Sequence, residues 1–77
     1  MQPRWRHVRT GERGYSCEVL HVRGAVVGRI EAFGCGCYGT VLGERTGNIG
    51  RDRRRARRIV RERFMRSQSG LLKFLQQ

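Results

Sequence analysis

Ten of the eleven glycines lie in residues 1–50, and residues 51–66 contain none. Nine of the sixteen arginines crowd into that glycine-free stretch. Dense glycine interrupts helices and favours turns, whereas a glycine-free run with apolar residues three and four apart favours a helix. The chain therefore divides into a strand-and-turn part and a helical part. With 77 residues and 38% hydrophobic content, both have to share one modest core. The expected architecture is an α+β fold: a three- to four-stranded antiparallel sheet packed by one C-terminal helix. Residues 1–77 read as a single domain, with sheet over about residues 4–42, an Arg-rich helix over 50–67 and a short apolar tail over 70–77.

Alternation and turn residues place the strands. Residues 4–9 form a first strand anchored by Trp5, and Thr10-Gly11-Glu12-Arg13-Gly14 makes a turn. Residues 15–22 and 25–33 form a hairpin around Arg23-Gly24, residues 37–42 form a candidate fourth strand, and residues 43–50 read as a loop. Pairing outward from Arg23-Gly24 sets Val22 against Ala25, His21 against Val26, Leu20 against Val27 and Glu18 against Arg29. That register predicts a core face of Tyr15, Cys17, Val19, Val26, Ile30 and Ala32. It leaves Leu20, Val22 and Val27 on the outer face as an apolar patch near Glu18 and Arg29. Such a patch reads as a partner surface, as the contact of a homodimer, or most simply as the seat of the tail residues Leu71 to Leu75.

Ala56, Ile59, Val60 and Phe64 fall on one narrow helical stripe, so the helix lies on the sheet. Asn48 or Gly50 is expected to cap its start, Asp52 suits its positive end, and Gly70 is expected to stop it. Beyond it, Leu71, Leu72, Phe74 and Leu75 make an apolar turn or a free handle.

The net charge is +11, and residues 51–66 alone carry +7. Arg53, Arg54, Arg57, Arg58 and Arg61 lie off the apolar stripe, joined by Arg63. Like charges three and four apart on a helix repel, and an anionic partner relieves that repulsion. Guanidinium groups suit phosphates because they bind bidentately and shed water readily. The preference for Arg over Lys also fits a GC-rich coding sequence, but that does not explain the excess of positive charge. Residues 1–9 are basic and lack the apolar stretch of a secretory signal, and no apolar run can cross a bilayer. The expected compartment is the cytoplasm, with no membrane partner and with reduced thiols.

Catalysis and cofactors find little support. His7 and His21 are the only histidines, and no nucleophile–base set, carboxylate pair or phosphate loop appears. Cys17, His21, Cys35 and Cys37 are the metal-ligating types, but the single residue between Cys35 and Cys37 is shorter than structural zinc sites use. No enzyme activity, metal or cofactor is expected.

Trp5, Tyr15, the run Val27-Gly28-Arg29-Ile30, Tyr38 and the basic helix follow an order that resembles small accessory proteins of bacteriophages and prophages, over roughly residues 4–64. The architecture is also similar to the arm-site DNA-binding domain of tyrosine-recombinase integrases, whose sheet enters the major groove. Here the charge is concentrated on the helix instead. The resemblance implies a phage-type protein acting in the host cytoplasm. The expected function is nucleic-acid binding, DNA included, with Arg53, Arg54, Arg57, Arg58 and Arg61 on phosphates. The alternative is a host-directed interaction protein docking on an acidic host or defence protein, with Leu20, Val22 and Val27 in its interface.

Overall fold

The computed structural model describes the backbone of residues 3–75 and the side chains of residues 3–67. Five strands precede one helix: β1 (Arg4–Val8), β2 (Ser16–Val22), β3 (Ala25–Phe33), β4 (Gly36–Val41), β5 (Glu44–Asn48) and α1 (Arg53–Leu75). The strands form one antiparallel sheet in chain order, a meander. The α+β expectation holds, with five strands instead of three or four.

The added strand is β5, in the stretch read as a loop. Leu42 and Gly43 both have positive φ, 49° and 86°, as do Arg23 and Gly24 at 52° and 82°. Two consecutive residues of that hand make the tight hairpin turn whose twist matches the strands it joins. Glu-Arg-Thr-Gly-Asn shows no apolar alternation because β5 is an edge strand. Thr46 is an extra residue bulged out of the β4–β5 ladder. Its hydroxyl accepts a hydrogen bond from the Gly39 amide (2.9 Å) and donates one to the Gly47 carbonyl (2.9 Å). The bulge thereby keeps its backbone neighbours paired.

A second irregularity decides which way the central strands face. Beside the turn, Val22 pairs with Ala25 and His21 with Val26, as the hairpin pattern predicts. The register then slips by one residue between Leu20 and His21, leaving Val27 as the extra residue of β3. From there Leu20 lies opposite Gly28, Val19 opposite Arg29 and Glu18 opposite Ile30. Because side chains alternate, this slip exchanges the expected faces of β2, while Ile30 and Ala32 stay in the core as expected and Val26, also expected there, is 55% exposed. Leu20, assigned to an outer patch, is 0% exposed in the core. Val22 and Val27 pack partly buried against the same cluster.

The helix lies across β3 and β4. Ala56, Val60 and Phe64 seat it over Leu20, Ile30, Ala32, Cys37 and Val41, with Trp5 and Ile49 at the margins. Gly28 and Gly39 make this approach possible. A Cβ at Gly28 would stand 2.8 Å from one Val60 methyl, and a Cβ at Gly39 would stand 2.8 Å from the other. At these two positions the absent side chain makes room for Val60 of the helix. The cap is Asp52, not Asn48 or Gly50: its Oδ1 accepts the amides of Arg54 (2.9 Å) and Arg55 (3.3 Å). Nor does Gly70 end the helix, whose backbone continues to Leu75. The side chains of Leu71, Leu72, Phe74 and Leu75, and with them the expected tail contact, lie outside the described residues.

Candidate nucleic-acid interface

The arginine helix divides by what its guanidinium groups touch. Arg57 is committed to the fold: its Nε and Nη2 both lie 2.9 Å from Glu18 Oε1, across from α1 to β2. Glu18, expected opposite Arg29, faces the helix because of the slip at Val27. Arg53, Arg54, Arg58 and Arg61 are exposed. Arg54, Arg58 and Arg61 fall on the side of the helix away from Ala56, Val60 and Phe64, by the angular spacing of 3.6 residues per turn. Arg55 shares that side and is exposed, although it was not among the expected residues.

The electrostatics of this surface are unfavourable in isolation. No acid lies within the first helical turn, and Arg53, Arg54 and Arg55 stand at the positive end of the helix dipole. Asp52 satisfies amides there but contributes a single negative charge. On the outer side Glu62 stands four residues after Arg58, the only acid within α1.

The opposite face of the sheet carries a second constellation. Cross-strand pairing sets Arg4 beside His21, Arg6 beside Val19, Val19 beside Arg29, Arg29 beside Thr40, and Thr40 beside Arg45. Direct partners share a face, so Arg4, Arg6, Arg29 and Arg45 all stand on the side away from the helix. Among the described residues no second helix covers this face. Val19 and Cys17 are nonetheless buried, Val19 standing between Arg6 and Arg29. Long arginine stems shelter apolar surface while their charged ends stay in water.

At one end of this face three aromatic rings meet. Tyr15 and Phe33 have centroids 5.0 Å apart, and Phe33 and Tyr38 are 5.9 Å apart in an edge-to-face arrangement. Tyr15 donates a 2.8 Å hydrogen bond to Glu31 Oε2. That carboxylate, with partial burial, pushes the Tyr15 hydroxyl up to about 12. Tyr38 is also held protonated above its ordinary range, chiefly by the Cys35 thiol, whose sulfur is 3.7 Å from its hydroxyl. Glu31, Phe33, Tyr38, Thr40 and Arg45 line a shallow depression. Tyr15, expected in the core, stands instead on the open face beside Phe33. The visible signal is the odd-numbered series Arg29, Glu31, Phe33 on the outer face of β3, which Tyr15 joins only once the bulge turns β2 over.

The cysteines are dispersed. Cys17 lies on the open face, Cys37 is buried under the helix, and Cys35 is exposed in the turn between β3 and β4. Among the described residues no three His, Cys, Asp or Glu side chains gather around a common point. None of the described helices is long and apolar enough to cross a membrane. No protein-family model, curated protein or solved structure matches this chain.

Proposed function

We propose that this chain binds nucleic acid through phosphate contacts made by the N-terminal end and the outer side of α1. The observation that carries this reading is the run of exposed arginines Arg53, Arg54, Arg58 and Arg61, set against a helix dipole of the same sign and offset by few acids. Bound phosphates lower the mutual repulsion, answer the dipole and give each guanidinium a bidentate acceptor. Arg57 is left out of the contact set because Glu18 already holds it. Contacts of this kind position a protein on a backbone and carry no base sequence. A phage-type accessory protein working in a host cytoplasm fits the reading. The rival, docking on an acidic host protein, loses its expected apolar centre, since Leu20 is buried and Val22 and Val27 pack on the core.

Fluorescence anisotropy with duplex and single-stranded probes across a salt series tests the proposal. Four engaged arginines give a log–log slope of about −4 on duplex DNA. Replacing Arg54, Arg58 and Arg61 together with Gln should bring the slope to about −1 and leave the thermal midpoint in place, because all three side chains are exposed. Absence of binding at low salt would discard the reading.

A further inference from the structure

We infer that the open face of the sheet is a binding surface for single-stranded nucleic acid, with bases stacked on Phe33 and Tyr38 and the backbone held by Arg29 and Arg45. The inference rests on the nucleic-acid reading and deepens it, because it names the strandedness of the ligand and a second surface. Phe33 is 44% exposed and stands outside the core cluster, so packing does not account for it. It lies between Tyr15 and Tyr38, which makes a continuous aromatic strip beside a shallow depression.

The charge around the strip selects the ligand. Arg29 stands on β3 with Phe33, and Arg45 lines the same depression from β5, two strands away or about 10 Å. Arg4 and Arg6 extend the positive face across β2 to β1. Glu31 is the one carboxylate among them, and it accepts the Tyr15 hydroxyl. A ligand for this face must therefore offer flat apolar rings and closely spaced anions together. Single-stranded nucleic acid has both. In a duplex the ring faces are buried in the stack, and only groove edges and phosphates are presented. An acidic protein surface supplies the charge but no series of flat rings. Aromatic platforms bordered by basic residues are the general means of holding unpaired bases without regard to sequence.

The test compares a short thymidine oligonucleotide, the matching uridine oligonucleotide and a duplex of equal length, by anisotropy on the full chain. The double variant Phe33→Ala, Tyr38→Ala should lose about tenfold or more in affinity for the single strands and change little on the duplex. The variant Arg29→Gln, Arg45→Gln should flatten the single-strand salt slope by about 1.4 units. Both ring positions lie outside the core cluster, and a thermal melt of each variant checks the fold. In the variant Phe33→Trp, binding should persist and the new indole emission should be quenched by the oligonucleotide. Unchanged single-strand affinity in the ring variant would overturn the inference, with duplex binding through α1 still standing. An equal loss on duplex and single strand would overturn it too, since stacking would then not be the cause. So would self-association abolished by the same variant, which would make a second copy the occupant. Absence of all nucleic-acid binding would remove both readings together. Tighter binding to one of the two oligonucleotides supports the inference and assigns the sugar it prefers.

Discussion

Replacing Gly39 or Gly28 with alanine should lift α1 off the sheet, and the size of the effect follows from one side chain. Val60 is 0% exposed and sits astride both glycines, with each methyl 2.8 Å from where an alanine Cβ would be placed. Carbon atoms pack best at about 3.5–4.0 Å. The helix or the strand must therefore shift by about 1 Å across a seat that also holds Ala56 and Phe64. Overpacking of this kind costs about 1–3 kcal/mol. Alanine also reduces the freedom of the unfolded chain, which offsets roughly 0.4–1 kcal/mol. Gly28→Ala should thus destabilise by about 1 kcal/mol. Gly39→Ala should cost more, about 2 kcal/mol, because Thr46 crowds the same position at 3.0 Å and 3.1 Å.

A double-mutant cycle separates this cause from any general intolerance of the strand. Val60→Ala alone removes two buried methyl groups and should cost about 2 kcal/mol, transfer and cavity terms together. In the pair Gly28→Ala, Val60→Ala the new Cβ fills part of the space the methyls vacate. The pair should be more stable than the sum of its single changes by at least about 1 kcal/mol. Urea titration followed by circular dichroism measures all four species. Each kcal/mol corresponds to roughly 4–8 °C in the midpoint of a domain this size. An additive cycle, or a Gly39→Ala protein as stable as the parent, would refute the seating of Val60 between the glycines.

Three further outcomes follow from the side-chain contacts. Arg57→Gln should destabilise by about 1 kcal/mol through loss of the Glu18 contact, whereas Arg58→Gln should stay within about 0.5 kcal/mol, both read by chemical denaturation. The Tyr15–Glu31 contact raises the folded phenol from its ordinary 10 to about 12. Its stabilising contribution is therefore whole below about pH 10 and is lost as pH rises through about 12; Tyr15→Phe should remove that alkaline component from melts taken against pH. A thiol reagent should modify the exposed Cys35 in the folded protein and reach Cys37 only on unfolding, since burial both shields that thiol and pushes its pKa up; mass spectrometry of the labelled peptides shows the order.

What could be read from the sequence depended on how local its cause was. The Arg23-Gly24 turn, the span of β3 and three of the four expected stripe residues, Ala56, Val60 and Phe64 but not Ile59, are set by neighbours a few residues apart and emerge from pattern alone. The face of β2 is not local. Alternation in β2 is satisfied equally well with Cys17 and Val19 inward or with Leu20 inward, since every one of these side chains is buried in the fold. The choice rests on one bulged residue at Val27, and a single slip exchanges both faces. Glycine at 28 is the trace of that choice in the sequence, but its meaning depends on Val60, which approaches from another element. Likewise the partner of Glu18 is Arg57, 39 residues along the chain, where cross-strand reasoning pointed to Arg29. The strand β5 escaped because an edge strand need not alternate apolar with polar residues.

The two candidate surfaces were legible to different degrees for the same reason. Residues on a helix become neighbours by counting three or four along the chain, so the arginine run of α1 declares itself as a charged surface before any fold is known. Arg4, Arg6, Arg29 and Arg45 are scattered over more than half the chain and become a surface only through the register of five strands. Their assembly is specific in a way the helix is not. Shifting the register of β3 by one residue would carry Arg29, Glu31 and Phe33 to the helix side, where α1 already packs. The bulge at Val27 therefore does two things together: it puts Leu20 on the same face as Ile30, under Val60, and it brings Tyr15, Cys17 and Val19 to the face of Arg29 and Phe33. Core packing and the composition of the open face are tied to the same residue. A change that removes the bulge should damage stability and single-strand binding together, whereas changes confined to the outer side of α1 should alter binding alone.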